Sequence, residues 1–125
     1  TGTPPPTVDT LCCAGVPLPD VLYATVTFTA GCDCLLNLVI PLYWQQAAKL
    51  WRGSGGTAPC VLAVALSCKE TAPSVYRWQL GDDGGLCEFA VATADEDSCS
   101  PLQITFAGIS MGVCCVGSIN VVVTE

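Results

Sequence analysis

Eleven carboxylates, ten cysteines, three tryptophans and no histidine bound the chemistry open to this chain of 125 residues. Without histidine, Ser-His-Asp and Cys-His arrangements are absent, as are the common zinc hydrolase motifs. No glycine-rich loop with a lysine is present to cradle a phosphate. Carboxylates cluster twice, at Asp82-Asp83 and Asp95-Glu96-Asp97, and a glycosidase needs such a pair. Both sets stand in turn-like sequence beside Gly or Ser, where acidic side chains are at home in solvent. Solvated loops are therefore the leading reading. A calcium site drawing on Asp82, Asp83, Asp95, Glu96 and Asp97 ranks second, because a hard cation takes several oxygen ligands, although neither cluster has EF-hand spacing. Catalysis ranks last, so the chain is expected not to be an enzyme and to need no cofactor, calcium aside.

Aromatic side chains offer a second kind of site. Trp44, Trp51 and Trp78, with Tyr23, Tyr43 and Tyr76, have the chemistry of a glycan-stacking platform. The competing and preferred reading puts them at the edges of a β core, where Trp and Tyr bury a large ring and keep a polar tip. Neither Asn37 nor Asn120 opens an N-glycosylation sequon, whereas Thr1, Thr3, Thr7 and Thr10 are spaced among prolines as in O-glycosylated segments.

The cysteines are Cys12-Cys13, Cys32-x-Cys34, Cys60, Cys68, Cys87, Cys99 and Cys114-Cys115. Their number is even, no CxxC occurs, and no histidine accompanies them, so disulfides outrank a metal-thiolate cluster. Disulfides imply an oxidising compartment. The expected location is extracellular or at the cell surface, after removal of a signal peptide, the Thr1-Gly2-Thr3-Pro4 start being read as a processed terminus. Cys60 and Cys68 fall eight residues apart on one expected strand, so their Cα atoms lie ~26 Å apart, far beyond disulfide reach. Each must bind a different neighbour. In each doublet the adjacent side chains point to opposite sides of an extended chain and reach two places. The connectivity stays open.

Charge and hydropathy narrow the class further. The net charge is −7, with Lys49, Arg52, Lys69 and Arg77 as the only cations; nucleic-acid binding needs basic clusters. Charged residues make up 12% and hydrophobic ones 51%, against the ~25% charged of ordinary soluble domains. A domain of this size cannot hide so much apolar surface in one core, and exposed apolar surface points to a partner or an assembly. No apolar run approaches the ~20 residues of a membrane-spanning helix.

Period-two alternation predicts the elements that must position these groups. Leu22, Ala24, Val26 and Phe28 share one face of a first strand. Leu36, Leu38, Ile40 and Leu42 share one face of a second, in which Pro41 argues for an edge or a bulge. Residues 45–50 suit one turn or a hairpin. Gly53-Ser54-Gly55-Gly56 reads as loop. Cys60, Leu62, Val64, Leu66 and Cys68 line the best strand, and Tyr76, Trp78 and Leu80 another. Asp82-Asp83-Gly84-Gly85 marks a turn. Further strands are expected at residues 86–93, 102–107 and 118–124, with Asp95-Glu96-Asp97 as a loop between the first two. The fold class is all-β, a disulfide-stapled antiparallel β-sandwich or jelly roll of about seven to nine strands. Residues 1–11 form a Pro/Thr-rich extended arm and residues 12–125 the domain.

The order Cys12-Cys13, Leu22-Tyr23-Ala24-Thr25-Val26-Thr27, Cys32-x-Cys34-Leu35, Trp51-Arg52-Gly53, Cys60, Leu66-Ser67-Cys68, Cys99-Ser100-Pro101-Leu102, Phe106, Cys114-Cys115 and Val121-Val122-Val123-Thr124-Glu125 resembles a group of uncharacterised cysteine-rich extracellular proteins. They belong to planctomycete-like environmental bacteria, and some lie near phage-type structural genes. The likeness runs over residues 12–125 and implies secretion and an all-β fold, with no activity. The expected function is that of a structural subunit of an extracellular filament or surface assembly, polymerising with copies of itself through apolar faces or strand edges, aided by the arm. The alternative is a secreted module that binds surface glycans, with or without calcium.

Overall fold

A computed structural model describes residue 13 and residues 18–28, 38–98, 102–112 and 117–125. The expected arm, Thr1, Thr3, Thr7 and Thr10 within it, and Cys12, Cys32, Cys34, Cys99, Cys114 and Cys115 lie outside the described residues.

Eight strands carry the fold: β1 (Val21–Phe28), β2 (Leu38–Gln45), β3 (Leu50–Thr57), β4 (Cys60–Ala72), β5 (Val75–Asp82), β6 (Ala92–Glu96), β7 (Gln103–Ser110) and β8 (Ser118–Thr124). No helix occurs among the described residues. All eight strands belong to one hydrogen-bonded sheet in the order β6-β5-β4-β3-β2-β1-β8-β7. Every pairing is antiparallel. Strands consecutive in sequence are paired, save β6 and β7 at the two ends of the sheet, and the first strand pairs with the last, Tyr23 lying opposite Thr124.

The ends of the sheet, β6 and β7, lie against each other. Just beyond them Phe89 bridges to Met111, Ala90 donates to the Ser110 carbonyl at 3.0 Å, and Gly112 donates to the Glu88 carbonyl at 3.0 Å. The sheet is nearly closed.

Alternation carries the core. Leu22, Ala24 and Val26 of β1, Ile40 and Leu42 of β2, Leu62, Val64 and Leu66 of β4, and Ile119, Val121 and Val123 of β8 are all buried on one inner face. Trp51, Trp78 and Phe106 are the largest side chains fully buried there. Burial of one such side chain contributes about 1.5–3 kcal/mol. No polar or charged side chain of the described residues joins this core.

Four local expectations are corrected. Pro41 does not mark an edge, because β2 lies between β1 and β3. Its missing N–H is instead accommodated by a short β2–β3 ladder that pairs only Tyr43, Trp44 and Gln45 with Arg52, Trp51 and Leu50. Residues 53–56 are not loop but the body of β3, paired with β4 from Trp51↔Leu66 to Thr57↔Cys60. Gly53 is needed there because its backbone presses on Pro41: a Cβ at Gly53 would stand 2.0 Å from the Pro41 carbonyl oxygen.

The strand expected at residues 86–93 begins only at Ala92, and Asp95 and Glu96 belong to it rather than to a loop. Pairing with β5, from Tyr76↔Glu96 to Leu80↔Ala92, imposes the extended chain on this acidic stretch. Finally, β7 runs on past residue 107 to Ser110 through a bulge between Phe106 and Ile109. Gly108 takes φ 68° there, and its N–H is held by Asn120 Oδ1 at 2.9 Å. The extra residue returns Ile109 to the buried face, three positions after Phe106.

Gly53→Ala is expected to cost about 1–3 kcal/mol, because the backbone of β2 must shift to admit the methyl group. Gly81→Ala, where an added Cβ meets nothing within 4 Å, is expected to be neutral or to stabilise by up to about 1 kcal/mol. Urea unfolding of the two variants checks the contrast, and equal losses would contradict the close approach of β3 to Pro41.

Candidate functional site

The sequence offered three sets of site residues, and the sheet sorts them by strand face and by height. The tryptophans form a row rather than a platform. Trp44 and Trp51 are cross-strand partners with ring centroids 4.7 Å apart, and Trp51 and Trp78 are 5.8 Å apart. Trp51 and Trp78 are both 0% exposed and belong to the core; Trp44 is half-buried and packs against it. A stacking platform of all three is thereby excluded, and the core reading holds for two of them. Tyr76 is also half-buried, whereas Tyr23 and Tyr43 are exposed on the outer face.

The two buried indoles differ in their polar atoms. Trp51 Nε1 donates to the Pro19 carbonyl at 3.2 Å, tying the chain before β1 to β3. Trp78 Nε1 is buried with no hydrogen-bond partner among the described residues.

The acidic clusters do not converge. Asp82 ends β5, whereas Asp95 and Glu96 pair with Arg77 and Tyr76 near its start. Five residues from Arg77 to Asp82 span ~16 Å of strand, too far to share one ion. Asp82 Oδ1 accepts from the Gly84 and Gly85 N–H groups at 3.2 and 3.4 Å, closing the expected turn. Asp83 pairs with Arg52 at 2.9 Å. Asp95 holds Arg77 through two contacts, Nε to Oδ1 at 2.9 Å and Nη2 to Oδ2 at 3.2 Å. No cluster of metal-ligating side chains occurs among the described residues.

The hydrogen bond from Arg77, aided by its positive charge and opposed by desolvation, holds the Asp95 carboxyl below its ordinary value, and Asp95 raises Arg77 in return. Cys13, Cys60, Cys68 and Cys87 are disulfide-bonded, and the inward alternation of Cys60 and Cys68 follows the expectation.

Two features that sequence spacing does not disclose emerge from the register. The first is a division of charge. Strands β7, β8, β1 and β2 are consecutive in the sheet and contain no charged residue, whereas β3–β6 carry Arg52, Lys69, Glu70, Arg77, Asp82, Asp95 and Glu96. Across the uncharged half, outer rows run Gln103–Thr124–Tyr23–Pro41 and Thr105–Val122–Thr25–Val39. Tyr23, Val39 and Tyr43 stand 43%, 52% and 52% exposed on it.

The second is a cleft of about 490 Å3 on the outer face of β4 and β5, beneath the β2–β3 turn. Lys49, Lys69 and Arg77 line it, three of the four cations in the chain. Lys69 and Arg77 are direct cross-strand partners, an arrangement of like charges that opposes sheet formation.

No family model, no curated protein and no solved structure matches this chain.

Two measurements test this geometry. Trp78→Phe is expected to cost about 1–2 kcal/mol less than Trp51→Phe in urea unfolding, because it sheds an unpaired buried N–H while the other breaks a hydrogen bond; an equal or larger loss at Trp78 contradicts the unpaired state. In an NMR titration the Asp95 carboxyl is expected to protonate below the ordinary aspartate range. Its folded value lies below its unfolded one, so the small stabilisation from this exposed pair is present above the unfolded value and is lost as pH falls through the folded one. Arg77→Gln is expected to return the midpoint to the ordinary range, and a midpoint that does not move refutes the pairing.

Proposed function

We propose that this chain is a secreted structural subunit that assembles with copies of itself through the uncharged outer face of β7, β8, β1 and β2. The observation that carries this reading is the absence of any charged residue from four consecutive strands in a chain of net charge −7. Interface cores are depleted of charge and enriched in tyrosine, and this face presents Tyr23, Tyr43, Val39 and Pro41 among threonines. Solubility of a lone domain is served by charge spread over the whole surface, so the bare half has a use only when covered.

Faces are the favoured contact rather than strand edges, since β6 and β7 lie against each other. We read the sheet as a barrel and the ten cysteines as disulfide staples. Such staples restrain the unfolded chain and suit an extracellular assembly exposed to proteases.

Native protein is expected to form regular polymers or large oligomers by light scattering and electron microscopy. Placing two positive charges on the face, in Val39→Lys combined with Tyr43→Lys, is expected to give a monomer with a stability change within about 0.5 kcal/mol, as these residues are exposed. Glu70→Gln, on the charged half, is expected to assemble as the native protein does. A native protein that stays monomeric at high concentration overturns the proposal.

A further inference from the structure

The cleft between the β2–β3 turn and the β4–β5 face gathers three of the four cations of an acidic protein. Lys69 and Arg77 oppose each other directly across the β4–β5 ladder, and the next residue in the row is Asp95. Asp95 takes the Nε–Nη2 edge of the Arg77 guanidinium and fixes its plane, leaving Lys69 on the far side of Arg77. Lys49 approaches from the turn, where φ 57° and a hydrogen bond from its N–H to the Gln45 carbonyl at 2.8 Å hold its backbone. Below this row, Ser67 and Gln79 form the next cross-strand pair and line the same cleft. Thr71 lines it too, with its hydroxyl donating to the Val75 carbonyl at 3.5 Å.

We infer that this cleft binds an acidic saccharide, a sugar unit bearing a carboxylate or sulfate. The volume of about 490 Å3 lies in the range of small-ligand sites. Lysine and arginine supply charge-assisted donors to an oxyanion, while the Ser67 hydroxyl and the Gln79 amide offer the neutral donors and acceptors that sugar hydroxyls need. Other anionic partners fit less well. No aromatic ring lines the cleft to stack on a nucleobase. Strands β4 and β5 are each paired on both sides, which denies an extended peptide the free edge that strand addition uses. This inference does not depend on self-assembly: the cleft lies on the charged half of the sheet and the uncharged face on the other.

Calorimetric titration of the full chain at low salt, with tetragalacturonate, a sulfated chondroitin tetrasaccharide and neutral cellotetraose, tests the inference. At least one acidic probe is expected to bind, and cellotetraose is expected not to. Binding is expected to weaken as salt is raised. Lys69→Gln is expected to lower affinity about tenfold or more, whereas Arg52→Gln, which removes the one cation outside the cleft, is expected to leave it within about twofold. Both positions are exposed, and unchanged unfolding midpoints confirm that the variants fold. Silence with both acidic probes, equal binding of cellotetraose, or equal losses in the two variants would each overturn the assignment.

Discussion

A sheet that wraps one core leaves every strand a single choice of face, and the rest of this molecule answers to that constraint. Once Leu22, Ala24 and Val26 turn inward, cross-strand pairing carries the same choice to Ile40 and Leu42 on one side and to Val121 and Val123 on the other. A slip of one residue anywhere would expose the whole buried set of that strand. Departures from strict alternation therefore need devices. The bulge at Gly108, held by Asn120, is one such device, since without it Ile109 would face water. The naked backbone of Gly53 is another, because a strand containing proline in the middle of a sheet needs a neighbour that can approach it without a side chain.

What was legible in the sequence is what period two encodes. The strands around Leu22 and Trp78 announce themselves by alternation, and those around Leu62 and Val121 as short apolar runs rich in valine. The glycine-rich body of β3 is illegible for a physical reason: glycine has no strand preference of its own, and its extended state is imposed by β4 and by Pro41. The same holds for Asp95 and Glu96, whose polarity suggests loop while their pairing with β5 decides otherwise. Trp51 and Trp78 were separable from a surface platform only as a preference, since aromatic type alone does not say which face a ring occupies.

The charged groups follow the same division between local and non-local information. Lys49, Lys69 and Arg77 are scattered along the sequence, and only a hairpin turn and one register bring them to a single cleft. The absence of charge from four strands is visible residue by residue, yet it becomes a surface only when β7 and β8 are placed beside β1 and β2. One half of the sheet thus concentrates the electrostatics and the other is left to apolar and hydroxyl contact.

The pairing of β1 with β8 has a consequence in time. Consecutive hairpins form between near neighbours in sequence, but β1 has only β2 beside it until the final residues arrive to cover its other side. Contacts of such long sequence separation slow folding, and an uncovered strand edge invites pairing with other chains. A chain cut short before Ser118 would leave β1 with an open edge and β7 without the strand it pairs with.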